Sequence, residues 1–153
     1  MIKILFICHG NICRSPMAEF VMKDMLQREG LGDAVEVASA ATSTEELGNN
    51  IYPPVRRELA KHGVAFTERH ARQMNRRDYA YYDMLIGMDK NNKRNMLRIC
   101  GADPEEKMSL LMDYTEKPHD VADPWYTGDF NATWNDVEEG CKGLLEYLRQ
   151  KGI

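Results

Sequence analysis

A chain of 153 residues with 43% hydrophobic and 29% charged residues has the make-up of one globular domain, 1–153, with a full core. Its net charge of −4 lacks the basic footprint of a general nucleic-acid binder, but it is compatible with a locally positive pocket for a small anion. The apolar run Ile4 to Cys8 falls far short of the ~20 residues a membrane helix needs, and with Lys3 beside it makes no convincing signal peptide.

Ile2 and Ile4 to Ile7 predict a strand buried on both faces of a parallel sheet. Ser15 as cap, Pro16 at the first helical position and the spacing of Met17, Phe20, Val21 and Met25 predict a helix, stopped near Gly30. Val35 to Ser39 reads as a second strand, completing a βαβ unit. Thr42 to Pro54 is polar, with Gly48, Asn49, Asn50, Pro53 and Pro54, and reads as a cleft-side loop. Pro54 to His62 predicts a short helix ended by Gly63, with Val55 and Leu59 inward.

Arg69 to Asp78 reads as irregular and basic. Arg69, Arg72, Arg76 and Arg77 form a solvated charged face, with Arg72 the candidate to pair with an acidic group. Met84 to Met88 is a third strand. Asp89 caps a helix running to Cys100, and Met108 to Met112 is a fourth strand. Trp134, Val137, Cys141, Leu144, Leu145 and Leu148 recur at helical spacing, an apolar stripe for the sheet. Strands alternating with helices predict an α/β domain: a four-stranded parallel sheet with helices on both faces.

The loop from Cys8 to Ser15 carries the chemistry. It joins the carboxyl end of a central strand to a helix amino terminus, where open α/β sheets bind ligands. Its N–H groups can converge on a tetrahedral oxyanion, and the helix end adds positive charge. Gly10 and Asn11 tolerate the left-handed backbone such a cradle needs. Arg14 can grip two oxygens with its planar fork. The same field favours the thiolate of Cys8, and the Ser15 hydroxyl can hold it. A thiolate beneath a phosphorus atom, with arginine and N–H groups on its oxygens, is a phosphoryl-transfer site that needs no metal or other cofactor. His9 reads as part of the rim.

The run Cys8-His9-Gly10-Asn11-Ile12-Cys13-Arg14-Ser15-Pro16 closely resembles the signature of the low-molecular-weight protein tyrosine phosphatases, C-x5-R-[ST]. The resemblance continues at Ser39-Ala40-Ala41-Thr42-Ser43, at Ala71-Arg72-Gln73 and at Asp123-Pro124-Trp125-Tyr126. It implies a strand order of 2-1-3-4. It implies that Cys8 is the nucleophile, that Arg14 binds phosphate and stabilises the transition state, and that Asp123 is the proton donor, with Asp120 the runner-up. The phosphate-binding loop would comprise His9, Gly10, Asn11, Ile12, Cys13, Arg14 and Ser15. Asn11, Ser15 and Ser39 would hold its shape.

The implied substrate is a phosphotyrosine-containing protein or a small aryl phosphate, and the product is inorganic phosphate. The implied enzyme is a cytoplasmic monomer with no nucleic-acid or membrane partner. One departure stands out: where many members carry an aromatic residue, this chain has Glu45, followed by Glu46, leaving Trp125 and Tyr126 to wall the cleft.

Three rival readings remain. Protein arginine phosphatases of the same family tend to carry threonine where Ile12 stands, and the bulk of Ile12 favours an aryl phosphate. Thiol-linked arsenate reductases need two further neighbouring cysteines, whereas Cys100 and Cys141 fall on separate predicted helices and read as core residues. A non-catalytic phosphoresidue binder would have no use for the thiol or the acid. Cys8 and Cys13 can form a reversible disulfide under oxidant, and the spacing of the four cysteines matches no metal pattern.

Overall fold

The structure, a computed structural model, describes residues 1–153. Strand β1 (Ile2–Cys8) leads into α1 (Arg14–Arg28), followed by β2 (Val35–Ala41), α2 (Pro53–Lys61), α3 (Arg76–Tyr81) and β3 (Met84–Gly87). The chain closes with α4 (Lys90–Cys100), β4 (Met108–Leu110), a 3-10 turn (Leu111–Tyr114), α5 (Pro124–Thr127) and α6 (Phe130–Gln150). The four strands pair in parallel in the order β2-β1-β3-β4, as expected.

Strand β1 divides its side chains between two cores, as a strand covered on both faces must. Ile4, Phe6 and Cys8 join the larger apolar cluster with residues of α1, α2 and α6, whereas Leu5 and Ile7 join a smaller one with Met74, Tyr82, Leu85 and Met96. Cys8 is thus the last residue of a central strand that pairs with β2 over Ile2–Cys8 and with β3 over Ile4–Ile7. The α6 stripe lands as its spacing predicts: Trp134, Val137, Cys141, Leu144, Leu145 and Leu148 are all buried. No helix is long and apolar enough to cross a membrane.

Several boundaries differ from the sequence reading. Helix α1 starts at Arg14 with Cys13 as its cap residue and no side-chain cap bond, so Ser15 and Pro16 are its second and third residues. Ser15 cannot cap because its hydroxyl is engaged with Cys8 and Asn11. Pro16 is still tolerated, since the first turn's N–H groups have no partner within the helix. Strand β2 runs two residues beyond Ser39, and Ala41 bridges on to Gln73.

Strand β4 ends at Leu110 because the Asp113 carboxylate accepts from the Leu110 N–H and turns the chain. Leu111 and Met112 are fully buried all the same. Their apolar run marked burial, which extended and 3-10 backbone can both supply. The segment read as irregular holds α3, capped by Asn75 and Asp78 in a reciprocal box.

The 3-10 turn lies against two glycines of α6. A Cβ added at Gly143 would meet the Tyr114 carbonyl oxygen at 2.1 Å. Alanine is the better helix former by about 1 kcal/mol, but a backbone atom cannot rotate aside. Overpacking of this kind costs ~1–3 kcal/mol or more. Gly143→Ala should therefore lower the melting temperature by ~2–4 °C for each kcal/mol of net loss. A thermal melt with an unchanged midpoint would show that α6 and the 3-10 turn do not meet so closely.

Candidate active site

The loop after β1 holds its shape through Asn11. This residue is fully buried and adopts a left-handed backbone (φ 58°), as the cradle reading anticipated. Its amide is completely engaged. Nδ2 donates to Ser15 Oγ and Ser39 Oγ, both at 2.9 Å, and Oδ1 accepts from the Arg69 guanidinium and from the Arg72 N–H. An arginine can only donate, so it fixes which end of the amide faces it. Ser15 Oγ then accepts from Asn11, which frees its own hydrogen for Cys8 Sγ, 3.0 Å away.

Ser39 passes its hydrogen to Glu19 Oε1 at 2.6 Å, and Lys23 holds the other Glu19 oxygen. Burial pulls the Arg69 guanidinium below its ordinary range, against the opposing pull of the Glu19 and Cys8 charges. Arg69 is therefore no solvated surface charge. Arg72 makes the acidic pairing foreseen for it, donating to both Asp78 oxygens at 3.1 and 3.0 Å.

Cys8 Sγ receives three donors: the Asn11 N–H at 3.3 Å, the Ser15 N–H at 3.4 Å and the Ser15 hydroxyl. Three donors around one sulfur fix its position at the base of the loop. The N–H groups of Gly10, Ile12, Cys13 and Arg14 donate to no protein acceptor. Buried N–H groups are almost always satisfied, so those of the buried Ile12, Cys13 and Arg14, with that of the partly buried Gly10, describe a seat for a polyoxyanion beside an arginine. The seat is pinned from outside by the Tyr52 N–H on Ile12 O at 2.9 Å and by Ser43 on His9 O.

Arg14 is buried, and its Nη1 donates to Asp89 Oδ2 at 2.7 Å and to Val121 O at 2.8 Å. Its Nη2 reaches Asp123 Oδ2 at 3.5 Å, and its Nε–H has no protein acceptor. Burial alone would weaken this cation. The Cys8, Asp89 and Asp123 charges outweigh burial and hold its pKa above the ordinary arginine value. Asp89 was read only as a helix cap. It does cap α4, accepting from Asn92 N at 2.7 Å through Oδ1, and its second oxygen aims the arginine.

Asp123 caps α5, with Oδ1 accepting from the Trp125 N–H at 3.0 Å. Its other oxygen, Oδ2, is the one turned to Arg14. The one-turn α5 went unread, although an aspartate before a proline is a helix-start signal. Cys8, Ile12, Cys13, Arg14 and Asp123 line one pocket with His9, Gly10, Glu45, Glu46, Trp125 and Tyr126. Asp120 lines no part of it.

His9 lies at the rim, paired with Glu45 at 2.8 Å. Trp125 leans on Tyr52, with ring centroids 4.9 Å apart, and Tyr126 is 82% exposed. Burial, with the nearby Cys8 and Asp123 charges, pushes the Cys13 thiol far up, so it stays protonated beside the Cys8 thiolate. All four cysteines are free. Cys141 is fully buried in the larger core and Cys100 packs against the smaller one, as core residues.

Residues 3–152 match the family described as low molecular weight phosphotyrosine protein phosphatase. The chain is 33% identical over 153 residues to the low molecular weight protein-tyrosine-phosphatase YfkJ of Bacillus subtilis, covering 99% of this chain and 98% of that one. It is 37% identical over 155 residues to the low molecular weight phosphotyrosine protein phosphatase of Rattus norvegicus, covering 94% and 93%. The crystal structure of YfkJ superimposes with a TM-score of 0.96 over 100% of this chain and 98% of that one.

Proposed function

The chain belongs to the low molecular weight phosphotyrosine protein phosphatase family, and from that premise we propose that Cys8 is its nucleophile, Arg14 its phosphate clamp and Asp123 its general acid. The enzyme is a protein-tyrosine phosphatase, a hydrolase of phosphoric monoesters. The observation that carries the site assignment is the ring of unsatisfied N–H groups and one buried arginine around a sulfur that already accepts three hydrogen bonds.

The cycle has two displacements. Cys8 Sγ attacks phosphorus while the bond from phosphorus to the phenolic oxygen breaks, and Asp123 gives its proton to the leaving oxygen. Asp123, now ionised, takes a proton from water as that water attacks phosphorus. The sulfur–phosphorus bond breaks, and inorganic phosphate leaves. Arg14 and the free N–H groups balance the charge on the three spectator oxygens throughout. Ser15 holds the sulfur as a leaving thiolate in the second step. The whole chain, 1–153, works as one catalytic domain. We place it as a monomer in a reducing cytoplasm, a setting its four free thiols support.

The apolar side chain of Ile12 in the pocket supports an aromatic substrate arm. The test is hydrolysis of matched phosphotyrosine and phosphoarginine peptides without added metal. Faster phosphotyrosine turnover is expected. A phosphoarginine preference would keep the chemistry and overturn the specificity argument from Ile12.

Asp89→Asn should keep an acceptor for the α4 cap while removing the charge that aims Arg14. A hydrogen bond between charged groups contributes ~1.5–3 kcal/mol, so kcat/KM should fall roughly 10- to 100-fold. Steady-state kinetics with an aryl phosphate measures it. An unchanged kcat/KM would mean that Val121 O orients the guanidinium alone.

A further inference from the structure

The rim of this pocket carries the wrong charge for its floor. The floor binds a dianion, yet two carboxylates, Glu45 and Glu46, line the same pocket, and the only basic side chains among the lining residues are Arg14 and His9. Arg14 is already faced by Asp89 and Asp123. Both rim carboxylates are held in place. Glu45 accepts from or pairs with His9 Nε2 at 2.8 Å. The Glu46 stem lies against Gly10, where a Cβ would come within 3.3 Å of its Cγ, and its head takes a bond from Asn49 Nδ2 at 2.5 Å. Neither Glu45 Oε1 nor Glu46 Oε1 has a protein donor.

A fixed carboxylate on the path of a phosphate repels it. That repulsion acts in full on inorganic phosphate. It is offset for a substrate that brings its own cation to the rim. Resting on the phosphotyrosine reading, we infer that Glu45 and Glu46 select phosphotyrosine peptides with arginine or lysine beside the phosphotyrosine, and that the same pair speeds the departure of the phosphate product. Trp125, 52% exposed and propped by Tyr52, gives the flanking aliphatic stems an apolar surface beside the carboxylates.

Two measurements of opposite sign test this. Three phosphotyrosine peptides of one length, flanked by arginine, alanine or glutamate, are compared on the wild type and on Glu45→Gln/Glu46→Gln. Exposed ion pairs are each modest, ~0.2–1 kcal/mol, so two pairs give a wild-type preference in kcat/KM for the arginine peptide over the alanine peptide of roughly 2- to 30-fold. The double variant should lose that preference. Its inhibition by inorganic phosphate should tighten, because the repulsion is gone.

A general loosening of the loop would weaken phosphate binding instead, so the two readouts separate charge selection from damage. A wild-type enzyme indifferent to the flanking charge, or a preference that survives in the double variant, overturns the inference while leaving the phosphatase reading intact. Failure to hydrolyse even the alanine peptide overturns both.

Discussion

Cys8→Ser should lower turnover of an aryl phosphate by on the order of 10⁶, the scale seen when a hydrolase loses its nucleophile, while inorganic phosphate still binds. The donors around Sγ suffice to hold a thiolate. They do not suffice for an alkoxide, because a serine hydroxyl is far less acidic than a thiol and has no general base within reach. Binding rests on other groups: the Arg14 guanidinium and the N–H groups of Gly10, Ile12, Cys13 and Arg14, none of which the substitution removes. Steady-state kinetics gives the first quantity and calorimetry the second. Loss of phosphate binding together with turnover would mean that the sulfur is part of the loop's architecture, and the nucleophile assignment would lose its support.

Asp123→Ala should lower kcat/KM, which reports the first displacement, by on the order of 10²–10⁴ with substrates whose leaving group is a poor one, the range for general acid catalysis. With a strongly acidic phenol as leaving group the loss should shrink, because that oxygen departs without a proton. The carboxyl is fixed at the pocket wall, with Oδ1 accepting from the Trp125 N–H and Oδ2 turned to Arg14. A rate series over phenols of graded acidity measures the dependence. An equal loss across the series would remove the proton-donor role and point to a part for Asp123 in aiming Arg14. Alanine also deletes the α5 cap, so Asp123→Asn, which can still cap, separates the two effects.

The residues that bind and react lie in one contiguous run whose every member has a local reason to be there, so sequence reasoning reached them. Gly10 and Asn11 announce an unusual backbone, Arg14 a planar clamp, and Ser15 a hydroxyl next to a thiol. The supports were harder to read because their meaning is long-range. Arg69 stands among four arginines in a polar stretch, and nothing local distinguishes it from Arg76 or Arg77. Only the return of the chain past β2 brings it to Asn11, 58 residues away in sequence.

Asp89 is legible in part: it caps α4 through Oδ1, a sufficient local role, while its hold on Arg14 through Oδ2 spans 75 residues and has no local sign. Glu19 carries a charge on a helix whose apolar spacing is otherwise clear, and its burial follows from Ser39 and Lys23 rather than from its neighbours in sequence. Among the elements, β4 was read too long because Leu111 and Met112 are apolar for the sake of α6. The short helices α3 and α5 were missed because four to six residues hold too little periodicity to detect, though each begins with a legible cap.

The single buried amide of Asn11 joins segments that begin at β1, α1, β2 and the strand-like stretch around Arg72. Its left-handed backbone is one that asparagine tolerates, and the four partners hold it there. The stretch from Val64 to Asn75 has no helix or strand of its own; backbone bonds to Asn49 and Ala41, side-chain bonds from Arg69, Arg72 and Gln73 and the buried Val64, Ala71 and Met74 dock it. Lacking a ladder or helix of its own, it is the partner of Asn11 with the least local structure to hold it. On gentle addition of urea, then, catalysis should fade at concentrations where Trp134, buried in the core, still reports a folded protein, and removing the urea should restore it quickly.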